Sequence, residues 1–303
     1  MNTIPTDRTS ESAVGVAPPA YRLPAETHPG GVRLQVADLE RSVTYYTDIV
    51  GLSVLERSDG RAILGAADEE HPLVELVERP GVRPVPRRGR IGLYHFAILL
   101  PDRAALGRFL RHVAEANVPV GTADHLVSEA IYLTDPDGLG IEIYADRPRA
   151  EWEYDGPQVS MATDPLDVND LLSVAGDEPW RGAPAGTVMG HVHLHVGDLE
   201  RAATFYHEAL GFDKMVWSYP GALFLAAGGY HHHLGTNTWA AGSPPASDDE
   251  ARLLAWTLVV PTTPDAESAA RSLESGGSAV TRDEGGWLVP DPWGTVLRIE
   301  TRA

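Results

Sequence analysis

Three histidines alternate along Gly-His-Val-His-Leu-His-Val at 190 to 196, and three more stand in a row as His231, His232 and His233. On a strand, side chains two apart share a face, so His191, His193 and His195 lie together while Val192, Leu194 and Val196 take the other side. Imidazoles gathered this way can bind a transition metal, move a proton, or hydrogen-bond inside a core, and a lone histidine is more often a surface or hydrogen-bonded core residue than a ligand. The chain has no cysteine, which removes disulfides, thiolate metal sites and a cysteine nucleophile. Any metal must therefore be held by histidine and carboxylate. An internal repeat narrows the choice: Val-Ala-Asp-Leu-Glu-Arg at 36 to 41 returns as Val-Gly-Asp-Leu-Glu-Arg at 196 to 201, with Thr44/Thr204, Tyr46/Tyr206 and Gly51/Gly211 in register. Positions that agree hold the fold. Gly31 against His191 and Pro72 against His232 mark places where ligands were gained or lost.

These residues need strands to align them and helices to cover the far face. Alternation over 32–36 predicts a strand, and Leu39, Val43, Tyr46 and Val50 at helical spacing predict a helix ended by Gly51. Short strands around 53–55, 61–64 and 73–77 complete a βαβββ unit. A second unit begins at 94–100, continues with a helix over 103–116, and closes with strands at 130–133 and 140–144 around the turn Asp135-Pro136-Asp137-Gly138. A third unit runs from Gly190 to about Trp239, and a fourth from about Leu254 to Thr301 holds the duplicate turn Asp291-Pro292-Trp293-Gly294. The fold class is α+β, built from four βαβββ modules. With 303 residues and 43% hydrophobic content, there is enough chain for two ordinary cores. The division is a loose tail at 1–29, a two-module domain at 30–146, a connector at 147–188 with one short helix near 168–172, and a second two-module domain at 189–303. A net charge of -19 opposes binding to nucleic acid or anionic membrane, and no apolar run is long enough to span a bilayer. Residues 1–29 carry no export or transit signature, which together with the missing cysteines suggests the cytoplasm.

Four stretches together resemble the vicinal-oxygen-chelate superfamily and, within it, the two-domain catechol 2,3-dioxygenases, which cleave rings in extradiol fashion. They are Leu-Tyr-His-Phe-Ala-Ile-Leu-Leu-Pro at 93–101, Asp-His-Leu-Val-Ser-Glu-Ala-Ile-Tyr-Leu-Thr-Asp-Pro-Asp-Gly at 124–138, Gly-His-Val-His-Leu-His-Val at 190–196, and Gly-Tyr-His-His-His-Leu-Gly-Thr-Asn-Thr-Trp at 229–239. The resemblance covers about 30–146 and 189–303. It implies modules paired into cupped, incomplete barrels, with ligands at the start of each first strand and on the inward face of each last strand. Those places read Gly31 with Pro72, His95 with Glu142, His191 with His232, and Ala255 with Arg298, so only the middle two modules offer ligands.

The resemblance further implies two neutral imidazoles and one carboxylate on one face of Fe(II), with Mn(II) as an alternative ion, and His95, His191 and Glu142 supply that set. For them to meet, the second module must pair with the third, within one chain or across a dimer, leaving the first and fourth as an empty cup. The usual pairing of adjacent modules would instead give His191, His232 and Glu300. His232 is implied as the catalytic acid and base, Tyr132 as a hydrogen-bond partner of a substrate hydroxyl, and His125 as a supporting histidine. His193 and His195 then orient substrate or ligands, and Trp239 lines the pocket with Trp217 and Tyr219, unless these aromatics only fill a core. A strand through 231–233 would turn His231 and His233 away from His232, while His71, His112 and His207 read as loop or helix-surface residues. The implied function is an extradiol dioxygenase taking a small aromatic diol and O2, as a homo-oligomer. Two alternatives keep the same cup. One is a metal-dependent isomerase or lyase of the glyoxalase kind, which usually has a fourth protein ligand where this chain has His232. The other is a metal-free, drug-sequestering protein of the bleomycin-resistance kind.

Overall fold

The computed structural model describes residues 14–67, 69 and 71–301. In the strand His28–Val36, Val32, Leu34 and Val36 are buried in one apolar cluster with Leu39, Val43 and Tyr46 of the helix Leu39–Asp48. Asp38 starts that helix by accepting the backbone N–H of Arg41, and Asp198 accepts that of Arg201 in the second copy. The repeated Asp-Leu-Glu-Arg is thus a helix cap. The second copy then departs from the first: its helix is α over Leu199–Ala203 and π over Thr204–Ala209. There His207 is buried, with Nδ1 2.7 Å from the carbonyl of Phe212, and is not the surface residue its polarity suggested.

Two eight-stranded sheets carry the modules. One runs, edge to edge, Asp213–Val216, Ala222–Ala226, Leu234–Asn237, Val188–His195, Gly92–Leu99, Gly140–Asp146, Ser128–Thr134 and Gly121–Asp124. The other runs Thr281–Asp283, Gly286–Pro290, Val296–Thr301, Arg252–Val260, His28–Val36, Pro72–Glu78, Arg61–Gly65 and Ser53–Ser58. The second module therefore pairs with the third, and the first with the fourth, within one chain. Each sequence half, 30–146 and 189–303, is divided between the two sheets because leading strands pair antiparallel across the halves. Glu300 lies in the other sheet from His191, beside which His232 stands, so the adjacent-module ligand set does not form.

Neighbouring modules in sequence stay tied through side chains. The Tyr46 hydroxyl donates to Asp135 at 3.3 Å, and Tyr206 to Asp291 at 2.9 Å. Each of these aspartates also closes its own turn, Asp135 accepting N–H bonds from Asp137 and Leu139, and Asp291 from Trp293 and Thr295. The duplicated tyrosines and Asp-Pro-x-Gly turns are scaffold.

Part of the expected tail is ordered: Val16 bridges Lys214 in the backbone, Leu23 is buried, and His28 opens a strand. These contacts close the end of the core, and only 1–13 of that stretch lies outside the described residues. The connector holds the helix Val168–Val174, with Leu171 buried in the core, and a small hairpin of Tyr154–Asp155 with Gln158–Val159. Among the described residues, no helix is long and apolar enough to cross a membrane.

Candidate metal centre

Three neighbouring strands put His191, Ala97 and Glu142 in one transverse row, and His95 lies two residues before Ala97 on the same face. The His95 and His191 Nε2 atoms are 2.9 and 3.1 Å from Glu142 Oε2 and 3.3 Å from each other. All three side chains are buried. Ala97, also buried, stands between His191 and Glu142 in the ladder and clusters with Ala130 and Tyr144. Among the described residues this is the group of histidines and acids close enough to hold a metal ion. Burial lowers the His191 imidazole to about 4, leaving it neutral near pH 7 and free to donate a lone pair. Burial opposes charge on Glu142 as well, but its interactions with His191 and His95 outweigh that and hold the carboxyl well below its ordinary range. Two imidazole nitrogens and one carboxylate oxygen converging in a buried space form a donor set that fits a divalent ion.

His232 stands beside this triad, its ring centroid 4.1 Å from that of His191 and 4.9 Å from that of Phe224. The segment 231–233 is not a strand, contrary to expectation. It approaches Leu234–Asn237 as irregular chain after Gly228 and Gly229, both with positive φ, and His231 bonds His232 through their Nδ1 atoms at 2.7 Å. The register also corrects which positions match Glu142. They are Gly235 opposite His193, Glu75 opposite Arg33, and Arg298 opposite Thr257, in place of His232 and Pro72. Gly235 has no room for a side chain, since a Cβ there would lie 2.8 Å from the His193 ring.

Tyr132 pairs with Glu142 across the next strand, and its hydroxyl is 2.6 Å from His125 Nε2. The other His125 nitrogen is 2.6 Å from the Ala162 carbonyl, so the connector orients it. Burial, then the charge of Glu142, raises the Tyr132 phenol well above its usual value and keeps it protonated. His193 Nε2 accepts from Asn237 Nδ2 at 3.0 Å, and His195 Nδ1 donates to Asn237 Oδ1 at 2.7 Å. His193 and Trp239 line the cavity above the triad, which has a volume of about 370 Å³, whereas His195 lines an adjoining one. Tyr219 joins the wall of the first, and Trp217 lies on a separate surface depression.

Sequence reasoning missed two parts of this wall. Tyr94, next to His95, should point away by strict alternation, but the ladder passes from His95 to Leu93 and leaves Tyr94 as a bulge facing the same cavity. Met161, Ala162 and Thr163 of the connector close another side, with the Thr163 and Tyr219 hydroxyls 2.8 Å apart. The opposite sheet forms a cup of about 910 Å³ in which Glu75 meets Arg61 at 2.6 Å and Arg33 at 3.2 Å.

Comparison with known proteins agrees with this architecture. The family model of the Glyoxalase/Bleomycin resistance protein/Dioxygenase superfamily matches residues 28–143 and 188–293. A catechol-2,3-dioxygenase of Bacillus subtilis (strain 168) is 44% identical over 272 residues, covering 88% of this chain and 94% of that protein. Among solved structures, a putative dioxygenase from Bacillus subtilis superposes with a TM-score of 0.64 at 15% identity, over 93% of this chain and 86% of the other. Glyoxalase I from Zea mays superposes with a TM-score of 0.55 at 20% identity, over 90% and 92%.

Proposed function

Because this chain belongs to the Glyoxalase/Bleomycin resistance protein/Dioxygenase superfamily, we propose that it is an extradiol dioxygenase that opens catechol or a small substituted catechol beside its two hydroxyls, incorporating both atoms of O2. The observation that carries this reading is the His95, His191 and Glu142 donor set with His232 beside it, in a chain 44% identical to a catechol-2,3-dioxygenase. His95, His191 and Glu142 would hold Fe(II), or Mn(II), which when bound supplies a chelation point for the diol and couples ring oxidation to O2 reduction.

The remaining work falls to the chain. His232 is the base that takes a proton from a substrate hydroxyl and the acid that later returns it. Burial lowers its imidazole well below the ordinary value, so it enters the reaction neutral. Tyr132 donates its own proton to His125 Nε2, whose Nδ1 donates to the Ala162 carbonyl, and so offers a lone pair that hydrogen-bonds a substrate hydroxyl. Phe224, Tyr219 and Trp239 shape the space for a flat ring and exclude water. A glyoxalase-type isomerase would need a further protein ligand, whereas the donor atoms that converge are those of His95, Glu142 and His191, without His232.

The test is reconstitution with Fe(II) without air, followed by catechol and isotopically labelled O2. A yellow ring-opened product carrying both labelled atoms is expected, and its absence across catechol and its simple alkyl derivatives would overturn the reading. In metal analysis, Glu142→Gln should lose the ion while Glu300→Gln keeps it.

A further inference from the structure

Behind His232 lies a chain of hydrogen bonds that the chemistry above does not use. His232 Nδ1 is 2.7 Å from His231 Nδ1, and His231 Nε2 is 3.0 Å from Asp146 Oδ1. The Tyr230 hydroxyl donates to the same carboxylate at 3.0 and 3.1 Å, and the Tyr144 hydroxyl lies 2.8 Å from that of Tyr230. His231 is fully buried, its ring 4.0 Å from that of Tyr230 and 5.2 Å from that of Trp152. Arg149 pins the preceding turn by donating to the carbonyls of Gly228 and Gly229. The His231 ring is therefore wedged in one orientation, with a carboxylate at one nitrogen and His232 at the other.

We propose that Asp146 and His231 are positioning residues that fix the tautomer of His232, leaving its Nε2 as a bare acceptor for the substrate proton. A carboxylate only accepts, so the His231 proton must sit on Nε2. His231 Nδ1 is then a lone pair, and the proton between the two rings belongs to His232 Nδ1. A neutral imidazole carries one N–H, which leaves His232 Nε2 unprotonated. That nitrogen has no hydrogen-bond partner among the described residues, and His232 lines the cavity. The reverse tautomer would set two acceptors, the buried His231 Nε2 and the half-buried Asp146, face to face with no proton between them.

In the proton transfer, the substrate O–H bond breaks, its electron pair stays on oxygen, and an N–H bond forms at His232 Nε2. The positive charge gained is stabilised through His231 toward Asp146, and the same proton returns later. No further oxidant or proton source is required.

This inference rests on His232 acting as the base, and its test separates the two claims. Protein with isotopically labelled histidine, loaded with diamagnetic Zn(II), reports each imidazole tautomer by long-range proton–nitrogen correlation. His232 is expected bare at Nε2 in the parent. In Asp146→Asn, whose amide can donate to His231, it is expected protonated at Nε2. With Fe(II) and catechol, Asp146→Asn should lower kcat by roughly 10²- to 10⁴-fold with KM little changed, and Asp146→Glu should recover the parent tautomer and most of the rate. A parent His232 protonated at Nε2 overturns the proposal without any variant. So does an Asp146→Asn protein with the parent tautomer and an undiminished kcat. If the parent cleaves no catechol, the functional reading falls while the spectra still decide the tautomer.

Discussion

Acid should unfold this protein through histidines that the core refuses to protonate, and His233 isolates the effect. Its imidazole is buried, accepts the backbone N–H of Ala227 on Nδ1 at 3.2 Å, and stacks 4.8 Å from the Tyr230 ring. Burial, reinforced by His231, His28 and His191, pushes it from 6.5 down to about 3. Because the folded-state value lies below the unfolded one, its contribution to stability is fully present above pH 6.5 and is lost as pH falls toward 3. Over that window the unfolded chain takes up a proton that the fold does not. At about 1.4 kcal/mol per unit, the loss sums to roughly 5 kcal/mol. That is comparable with the whole stability of a typical domain, about 5–15 kcal/mol. His233→Gln keeps an acceptor for the Ala227 N–H but cannot titrate. Urea unfolding of the metal-free protein, followed from about pH 8 to about pH 4.5, should find the variant less stable at the alkaline end because the stacked ring is gone. Below pH 6.5 its stability should fall less steeply than the parent's, by about 1.4 kcal/mol per pH unit. The other buried histidines titrate alike in both proteins, so the difference in slope belongs to His233. Parallel curves would refute the argument that burial holds this ring neutral.

Two further outcomes follow from the geometry. Ala97→Leu enlarges the buried residue between His191 and Glu142 in the ladder, and an overpacked core of this kind costs about 1–3 kcal/mol; metal analysis should find the ion lost while circular dichroism stays native, and full retention would contradict the place given to Ala97. Tyr132→Phe removes the hydroxyl bonded to His125, and the lost hydrogen bond from a substrate hydroxyl, about 0.5–1.5 kcal/mol, should lower kcat/KM for catechol by about two- to tenfold; unchanged steady-state kinetics would remove Tyr132 from the reaction.

The triad was legible because the family resemblance named the ligand positions on the strands and topology did the rest. The resemblance named His95, His191 and Glu142 at those positions, and only one pairing of modules could bring them together, the pairing the sheets adopt. The irregular parts of the site were not legible. Tyr94 is aimed inward by a bulge, and bulges leave no mark on alternation; the equivalent Leu254 is passed over in the other sheet between Ala255 and Leu253. The row His231 to His233 reads as a strand because Leu234 follows it and Pro72 stands at the equivalent place of the repeat, but the Gly-Gly reversal before it sets their directions independently of any period. The connector reads as a spacer from its proline, glycine and aspartate content, yet Ala162 contributes through its carbonyl, a group every residue has. Residues 14–29 failed for the same reason, since Val16 is held by backbone bonds to Lys214.

The two cups offer a comparison inside one molecule. Both place a carboxylate at the same register position, Glu75 in one and Glu142 in the other. Glu75 has its charge met by Arg33 and Arg61 in an open, polar cup, a common surface arrangement that requires no ligand. Glu142 is buried, and the side chains around it are imidazoles, of which His191 is neutral. A buried carboxylate facing neutral donors is costly unless a cation completes it. With both imidazoles as neutral ligands, a divalent ion turns the site's charge from -1 to +1, and a catecholate monoanion would then bring it to zero in a cavity walled by Tyr219, Phe224 and Trp239. The same carboxylate is thus met by arginines in one cup and by imidazoles from other positions in the other, His95 and His191 standing where the first cup has Gly31 and Ala255.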